Sequence, residues 1–269
     1  MKSDARLLLD PRSAHEANDL YAVRVNSIKK VFDEIEAIRD VSLDIANGEF
    51  VSLLGPSGCG KSTLLMMIAG LLAPTSGQVI LANTPVLSPR REVGVVFQNP
   101  VLLPWRSVID NVLLPIEFLR LPIKDYRARA LDLLKMVKLE EFADALPRQL
   151  SGGMRQRASI CRALIHDPHI LLMDEPFSAL DAITRDDMAV ELLRIWQATR
   201  KTVIFVTHSI REAAFLSDRV LTMGRRPATI IDEVRIDLPR PRHIGMTEED
   251  SFNRYVRHLR KSIEASHEG

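Results

Sequence analysis

The stretch GPSGCGKST, residues 55 to 63, sets glycines, a lysine and hydroxyls at the spacing that suits a phosphate chain. Gly55, Gly58 and Gly60 let backbone N–H groups approach phosphate oxygens, and a helix opening at Lys61 adds the positive end of its dipole. Lys61 then supplies a point charge to the β- and γ-phosphates, Ser62 a hydroxyl to Mg²⁺ and Thr63 a donor to the α-phosphate. Pro56, Ser57 and Cys59 complete the turn. Cys59 lies beside Lys61 and a helix start, an environment expected to favour thiolate, with no catalytic role.

A second element, ILLMDEP at 170 to 176, ends an apolar run in two acids. Asp174 is expected in the Mg²⁺ sphere, and Glu175 can hold an attacking water. A kinase shields its γ-phosphate from water and needs no such carboxylate, so Glu175 favours hydrolysis. A third, QLSGGMRQR at 149 to 157, resembles another anion seat. Ser151 caps a helix whose first N–H groups, at Gly152 and Gly153, attract anions. One nucleotide does not need two cradles from one chain.

The elements that must hold these residues follow from hydrophobic pattern. Residues 21 to 46 alternate apolar and polar as half-buried antiparallel strands. EFVSLL (49 to 54), VGVVF (93 to 97), HILLMD (169 to 174), VIFVT (203 to 207) and RVLTM (219 to 223) are continuous apolar runs, expected in a sheet covered on both faces. Between Gln98 and about Ser159 the pattern turns helical, over 107 to 119, 123 to 137 and from Ser151. The expected division is a loose extension over 1 to 20, a main domain over 21 to 240 with a helical insertion at about 99 to 159, and a tail over 241 to 269 with a turn and a short amphipathic helix. Arg254, Arg257, Arg260 and Lys261 in that helix read as a solvated face.

Bulk composition excludes several classes. A chain of 269 residues with 46% hydrophobic content supports one large α/β domain, burying roughly 75% of its unfolded surface. Lys+Arg of 36 against Asp+Glu of 35 leaves net +1, which directs no field at nucleic acid. The two cysteines form no disulfide framework or metal-type spacing, which favours a reducing cytoplasm. The run LLMMIAGLLA, 64 to 73, is ten residues, whereas a membrane span needs about 20. The charged N-terminus does not read as a signal peptide. Any membrane association is expected through another subunit.

In order, GPSGCGKST, Gln98 after an apolar strand, LSGGM, LLMDE, SALD (178 to 181) and His208 resemble the ATP-binding cassette of ABC transporters over about residues 21 to 240. The resemblance implies a P-loop NTPase (RecA-like) α/β core with an antiparallel β subdomain and an inserted helical subdomain. It implies ATP and Mg²⁺, with Gln98 sensing both γ-phosphate and metal, and His208 contacting the γ-phosphate. Phe32 is expected to stack on adenine. Two cassettes are expected to pair head to tail, so that Ser151, Gly152, Gly153 and Asp181 of one copy meet the nucleotide held by the other. Met154 departs from the glutamine common there, just beyond the Ser-Gly-Gly contacts.

Within the superfamily, LLPWRSVIDNV, LSGGMRQR and the IDLPRPR tail are most similar to import cassettes for nitrate, sulfonate and taurine. The implied partners are a second copy, membrane-spanning permease subunits and, through these, a solute-binding protein, placing the chain on the cytoplasmic face of the inner membrane. Residues 97 to 112, with Trp105, are read either as a groove for a permease helix or as helix-capping core. The alternative, a soluble cassette acting on nucleic acid or ribosomes, usually needs paired cassettes, coiled coils or a basic face.

Overall fold

The computed structural model describes residues 21–178 and 180–265; the proposed extension over 1–20 lies outside them. Strands β1 (Tyr21–Phe32) and β2 (Ile35–Ala46) pair antiparallel, with Val25 opposite Leu43. Their alternation puts Val23, Val25, Val41 and Ile45 inside while Ser42 and Asp44 face out. Strands β4 (Ser76–Leu81) and β5 (Thr84–Pro85) extend this antiparallel half outward.

The other half is parallel. Strands β3 (Phe50–Leu54), β6 (Val93–Val96), β7 (Ile170–Asp174), β8 (Thr202–Thr207) and β9 (Arg219–Met223) run in one direction. Every residue of β3 and β8 is buried, as both-face burial requires. Strand β10 (Ala228–Arg235) joins the halves, antiparallel to β9 and parallel to β2, in the order β5-β4-β1-β2-β10-β9-β3-β8-β7-β6.

Because five strands are parallel, their carboxyl ends share one edge. Leu54, Val96, Asp174, Thr207 and Met223 end there, where open α/β sheets bind ligands. Helix α1 (Lys61–Ile68) follows β3 directly across a six-residue turn and packs beneath the sheet through Leu64, Leu65, Met67 and Ile68.

Between β6 and β7 no strand intervenes among the described residues. Helices α2 (Val108–Phe118), α3 (Ile123–Met136) and α4 (Gly152–Leu164) fill that segment. Val108, Ile109 and Val112 pack with Ala158 and Cys161 in one core. Asn111, fully buried, accepts from Leu103 N at 2.6 Å and donates to the carbonyls of Leu103, Arg106 and Ser107. It replaces backbone partners that the loop at 103–107 lacks, which keeps a buried polar group satisfied.

Helices α5 (Ala182–Thr199) and α6 (Ile210–Leu216) share the core of α2 and α4, on the sheet face opposite α1, and α7 (Asp250–Ala265) follows. Phe252, Val256 and Leu259 of α7 enter the core, while Arg254, Arg257, Arg260 and Lys261 are exposed. The LPRPR run fastens the chain beyond β10 to the core. Buried Arg242 donates to the carbonyls of Phe215 and Ser217 at 2.8 Å each, closing the end of α6. Burial pulls the Arg242 pKa down to about 10. Arg240 binds Asp218 at 2.7 Å and lies over the Trp196 ring. No described helix is long and apolar enough to cross a membrane.

Candidate functional site

The turn between β3 and α1 forms a cradle because three glycines occupy it. Gly58 and Gly60 have φ of 76° and 121°, in the region that L side chains avoid. A Cβ on Gly55 would sit 2.6 Å from the Met223 carbonyl oxygen. Lys61, 3% exposed, folds over the turn and donates to the Gly55 and Pro56 carbonyls at 2.9 Å. The turn, with Ser57, Gly58, Gly60, Lys61, Ser62 and Thr63, walls a cavity of about 410 Å³ that Gln98, Glu175 and Arg226 complete.

The two acids arrive from β7. Ser62 Oγ donates to Asp174 Oδ1 at 2.8 Å. Burial raises the Asp174 carboxyl above its ordinary value, against the Ser62 hydrogen bond. Hydroxyl and carboxylate oxygens, with the Gln98 amide nearby, are the hard donors that Mg²⁺ takes beside nucleotide phosphates. The residues present therefore fit that ion.

Glu175 has φ of 42°, and its N–H donates to Val206 O at 3.0 Å. A left-handed glutamate is strained, and such strain gathers where side-chain aim matters. Its carboxylate lies 2.9 Å from His208 Nδ1 and 3.8 Å from Lys61 Nζ. Gln98 Nε2 donates to Ser178 Oγ at 3.1 Å, and Ser178 Oγ donates to Glu175 O at 3.0 Å. Lys61, Asp174, Glu175, Gln98 and His208 thus converge from four strand ends.

His208 is held from behind. Thr207 Oγ1 donates to Glu212 Oε2 at 2.6 Å and accepts from Ser209 N at 2.9 Å. Ser209 caps α6 by accepting from Glu212 N at 3.3 Å. Arg185 of α5 approaches Glu212 at 3.5 Å and donates to Leu180 O at 2.9 Å. Burial raises the Glu212 carboxyl, with Thr207 and Arg185 opposing. Sequence patterns alone do not single out Arg185, Glu212 or Arg226, and Ser178 enters only as the first residue of SALD. The Ser209-x-x-Glu212 spacing, a capping-box signature, is the one signal for this group.

The Ser-Gly-Gly seat stands elsewhere. Ser151 Oγ accepts from Met154 N at 3.3 Å, capping α4. It borders a separate cavity of about 440 Å³ with Gly153, Lys138, Arg157 and Thr184. This cavity and the Lys61 cavity have no lining residue in common. Asp181 caps α5 and accepts from Thr184 N at 3.0 Å and Thr184 Oγ1 at 2.7 Å. Its carboxylate is thereby committed to its own helix, and the Thr184 bonds hold it below the usual range. Phe32 ends β1, 42% exposed, with Lys30 Nζ 4.9 Å above its ring. It does not line the phosphate cavity.

Cys59 corrects the thiolate expectation. Its side chain is 2% exposed and packs in the core under the turn. Burial raises the thiol, outweighing Lys61 and the helix start. Cys161, fully buried, is pushed up to about 12. Cys161 should alkylate at pH 8 at least about tenfold more slowly than free cysteine, and Cys59 should also be slowed, because thiolate is the reacting form and both side chains are buried. Rapid alkylation of folded protein, timed by mass spectrometry, would contradict this.

Trp105 is 73% exposed but does not line the apolar groove of about 590 Å³ in the same region. That groove is formed by Phe97, Val101, Leu114, Phe118 and neighbours. Phe118 and Val101 are 78% and 62% exposed. The helix-capping alternative holds for Val108 and Ile109, which are buried, and not for these.

Residues 38–178 match the family described as ABC transporter. An uncharacterized ABC transporter ATP-binding protein of Methanocaldococcus jannaschii is 49% identical, over 82% of this chain and 84% of that protein. The taurine import ATP-binding protein of Rhizobium johnstonii is 51% identical over 77% and 79%. A dimeric ATP-binding cassette in a post-hydrolysis state, bound to ADP and Pi, superposes with TM-score 0.71 at 36% identity, covering 81% of this chain and all of that one. A Clostridium perfringens cassette, part of the ABC transporter complex cbiONQ, gives TM-score 0.75 at 26% identity over 92% and 98%.

Proposed function

The chain belongs to the ABC transporter family as an ATP-binding subunit and ATPase, and from that premise we infer that two copies energise an importer for a small anion. Nitrate, a sulfonate or taurine is the solute class; the taurine import proteins of Rhizobium johnstonii and Yersinia pestis, at 51% and 47% identity, support it. The copies work on the cytoplasmic face of the inner membrane, bound to permease subunits that receive solute from a binding protein.

One observation carries the shared-site reading. The Lys61–Glu175 cavity and the Ser151 cavity lie apart in one chain, with no lining residue in common. Head-to-tail pairing would put Ser151 and the N–H groups of Gly152 and Gly153 from one copy on the phosphates held by the other. The dimeric state of the cassette bound to ADP and Pi supports that arrangement.

The chain's own residues define the chemistry. Lys61 leaves the Gly55 and Pro56 carbonyls for the β- and γ-phosphates. Ser62, Asp174 and Gln98 would hold Mg²⁺, which neutralises charge developing on the phosphates. Phe32 offers its exposed face to adenine. Glu175 orients a water in line with the γ-phosphorus and takes its proton, while His208, 2.9 Å away, steadies the carboxylate and faces the γ-phosphate. Gln98, bonded through Ser178 to the Glu175 backbone, links γ-phosphate occupancy to the groove beginning at Phe97.

The groove is the permease contact in this reading. Phe118→Asp should lower recovery of the chain with its permease about tenfold, by placing a charge in an apolar interface, while Mg-ATP affinity of the isolated protein stays within about twofold. Unchanged recovery would remove the groove from the interface. The test of the whole reading is reconstitution with permease and binding protein in liposomes. Taurine, alkanesulfonate or nitrate should accumulate only with ATP; transport of none of them would reject the solute class.

A further inference from the structure

We propose that Arg226 is a phosphate-binding residue that closes over the nucleotide of its own chain from the β9–β10 turn. The proposal rests on the reading of the Lys61 cavity as the ATP seat and adds a contact to it.

The turn at 224–227 is fastened to the phosphate loop on both sides. Before it, the Met223 carbonyl lies so close to Gly55 that a Cβ there would approach to 2.6 Å. After it, fully buried Ala228 packs on Gly60, where an added Cβ would meet its own at 3.5 Å. Gly224 N donates to Thr229 O at 3.0 Å and closes the hairpin. The turn is thus held against the loop at both of its ends. Arg226 overhangs Ser57 and Gly58 and borders both cavities that meet there, the phosphate seat and a neighbouring space of about 400 Å³.

Among the described residues, no hydrogen bond or ion pair occupies the Arg226 guanidinium, whereas Arg225 beside it is engaged. Its charge nevertheless reaches the loop, since it acts on the Cys59 thiol. Within the seat, Lys61 already faces the carboxylates of Asp174 and Glu175. No carboxylate among the described residues pairs with the Arg226 guanidinium, which leaves its charge available to phosphate. Its planar fork presents parallel N–H groups to phosphate oxygens in a fixed geometry, where a lysine acts as a point charge.

The test is calorimetric titration of the full chain with Mg-ATP and with AMP, in wild type, Arg226→Ala, Arg226→Lys and Lys61→Ala. Loss of one charge-assisted contact should weaken Mg-ATP about tenfold in Arg226→Ala, with Arg226→Lys intermediate. AMP affinity should change less than about twofold, because AMP lacks the outer phosphates. Wild-type ATP affinity in Arg226→Ala would overturn the proposal. So would equal losses for ATP and AMP, the mark of a turn that merely supports the loop. Lys61→Ala reports separately on the seat: if it binds ATP as wild type does, the seat reading itself fails.

Discussion

Replacing Glu175 by glutamine lowers ATP turnover about 10²- to 10³-fold, the usual cost of removing one preorganised group, while the protein still binds Mg-ATP and pairs on it. The amide keeps the volume and the His208 contact at 2.9 Å, so the site stays assembled. It cannot accept a proton from water. It also removes a negative charge 3.8 Å from Lys61, which leaves the lysine freer for phosphate. Turnover by phosphate release and size by gel filtration, both at saturating Mg-ATP, check the two halves. Retention of more than about a tenth of wild-type turnover would show that another base activates water. A variant that stays monomeric would break the shared-site model.

Which parts of this site are legible in the sequence follows from how local their physics is. The phosphate turn is legible because its glycines, lysine and helix start are contiguous, and Asp174 and Glu175 because a buried apolar strand ends where two acids begin. The strands β3, β6, β7, β8 and β9 announce themselves as apolar runs. Strands β4 and β10 do not: Ser76, Gly77 and Gln78 are exposed, and β10 mixes Ile, Asp, Glu and Arg at a half-covered position. Sheet pairing, not side-chain pattern, makes them strands.

Side-chain direction is less legible still. Cys59 sits in sequence between two cavity-lining residues, yet its Sγ turns under the loop against Gly55. Desolvation there outweighs the positive surroundings that neighbouring residues suggest. Glu212 and Arg185 reach the His208 turn from two different helices. Arg226 reaches the phosphate turn only because β10 bridges the two halves of the sheet. Such contacts belong to topology and leave no periodic trace. Trp105 shows the reverse: a conspicuous aromatic at the predicted patch lies outside the groove, which Phe118 lines instead.

Mixing two inactive variants should restore activity. Lys61→Ala empties the phosphate seat of its charge, and Ser151→Glu places a carboxylate where a neighbour's phosphates must lie. Each homodimer then has two broken sites. The Glu substitution weakens the α4 cap by about 1 kcal/mol, which leaves the fold intact. In a mixed dimer, the Ser151→Glu copy contributes an intact Lys61 and Glu175, and the Lys61→Ala copy contributes an intact Ser151. One of the two composite sites is whole. With random exchange half the dimers are mixed, so about a quarter of the sites recover if they act independently. Recovery near zero would mean the sites must fire together; high turnover by Ser151→Glu alone would mean the second seat never meets the nucleotide. The size of the coupling is set by closure. Shifting a pair from 1:99 to 99:1 takes about 5.5 kcal/mol of differential affinity, so a single intact bridge supplies about half of that drive. Turnover per intact site should therefore fall below the wild-type value when permease is absent and approach it when permease holds the copies together, because tethering replaces the missing bridge with effective concentration.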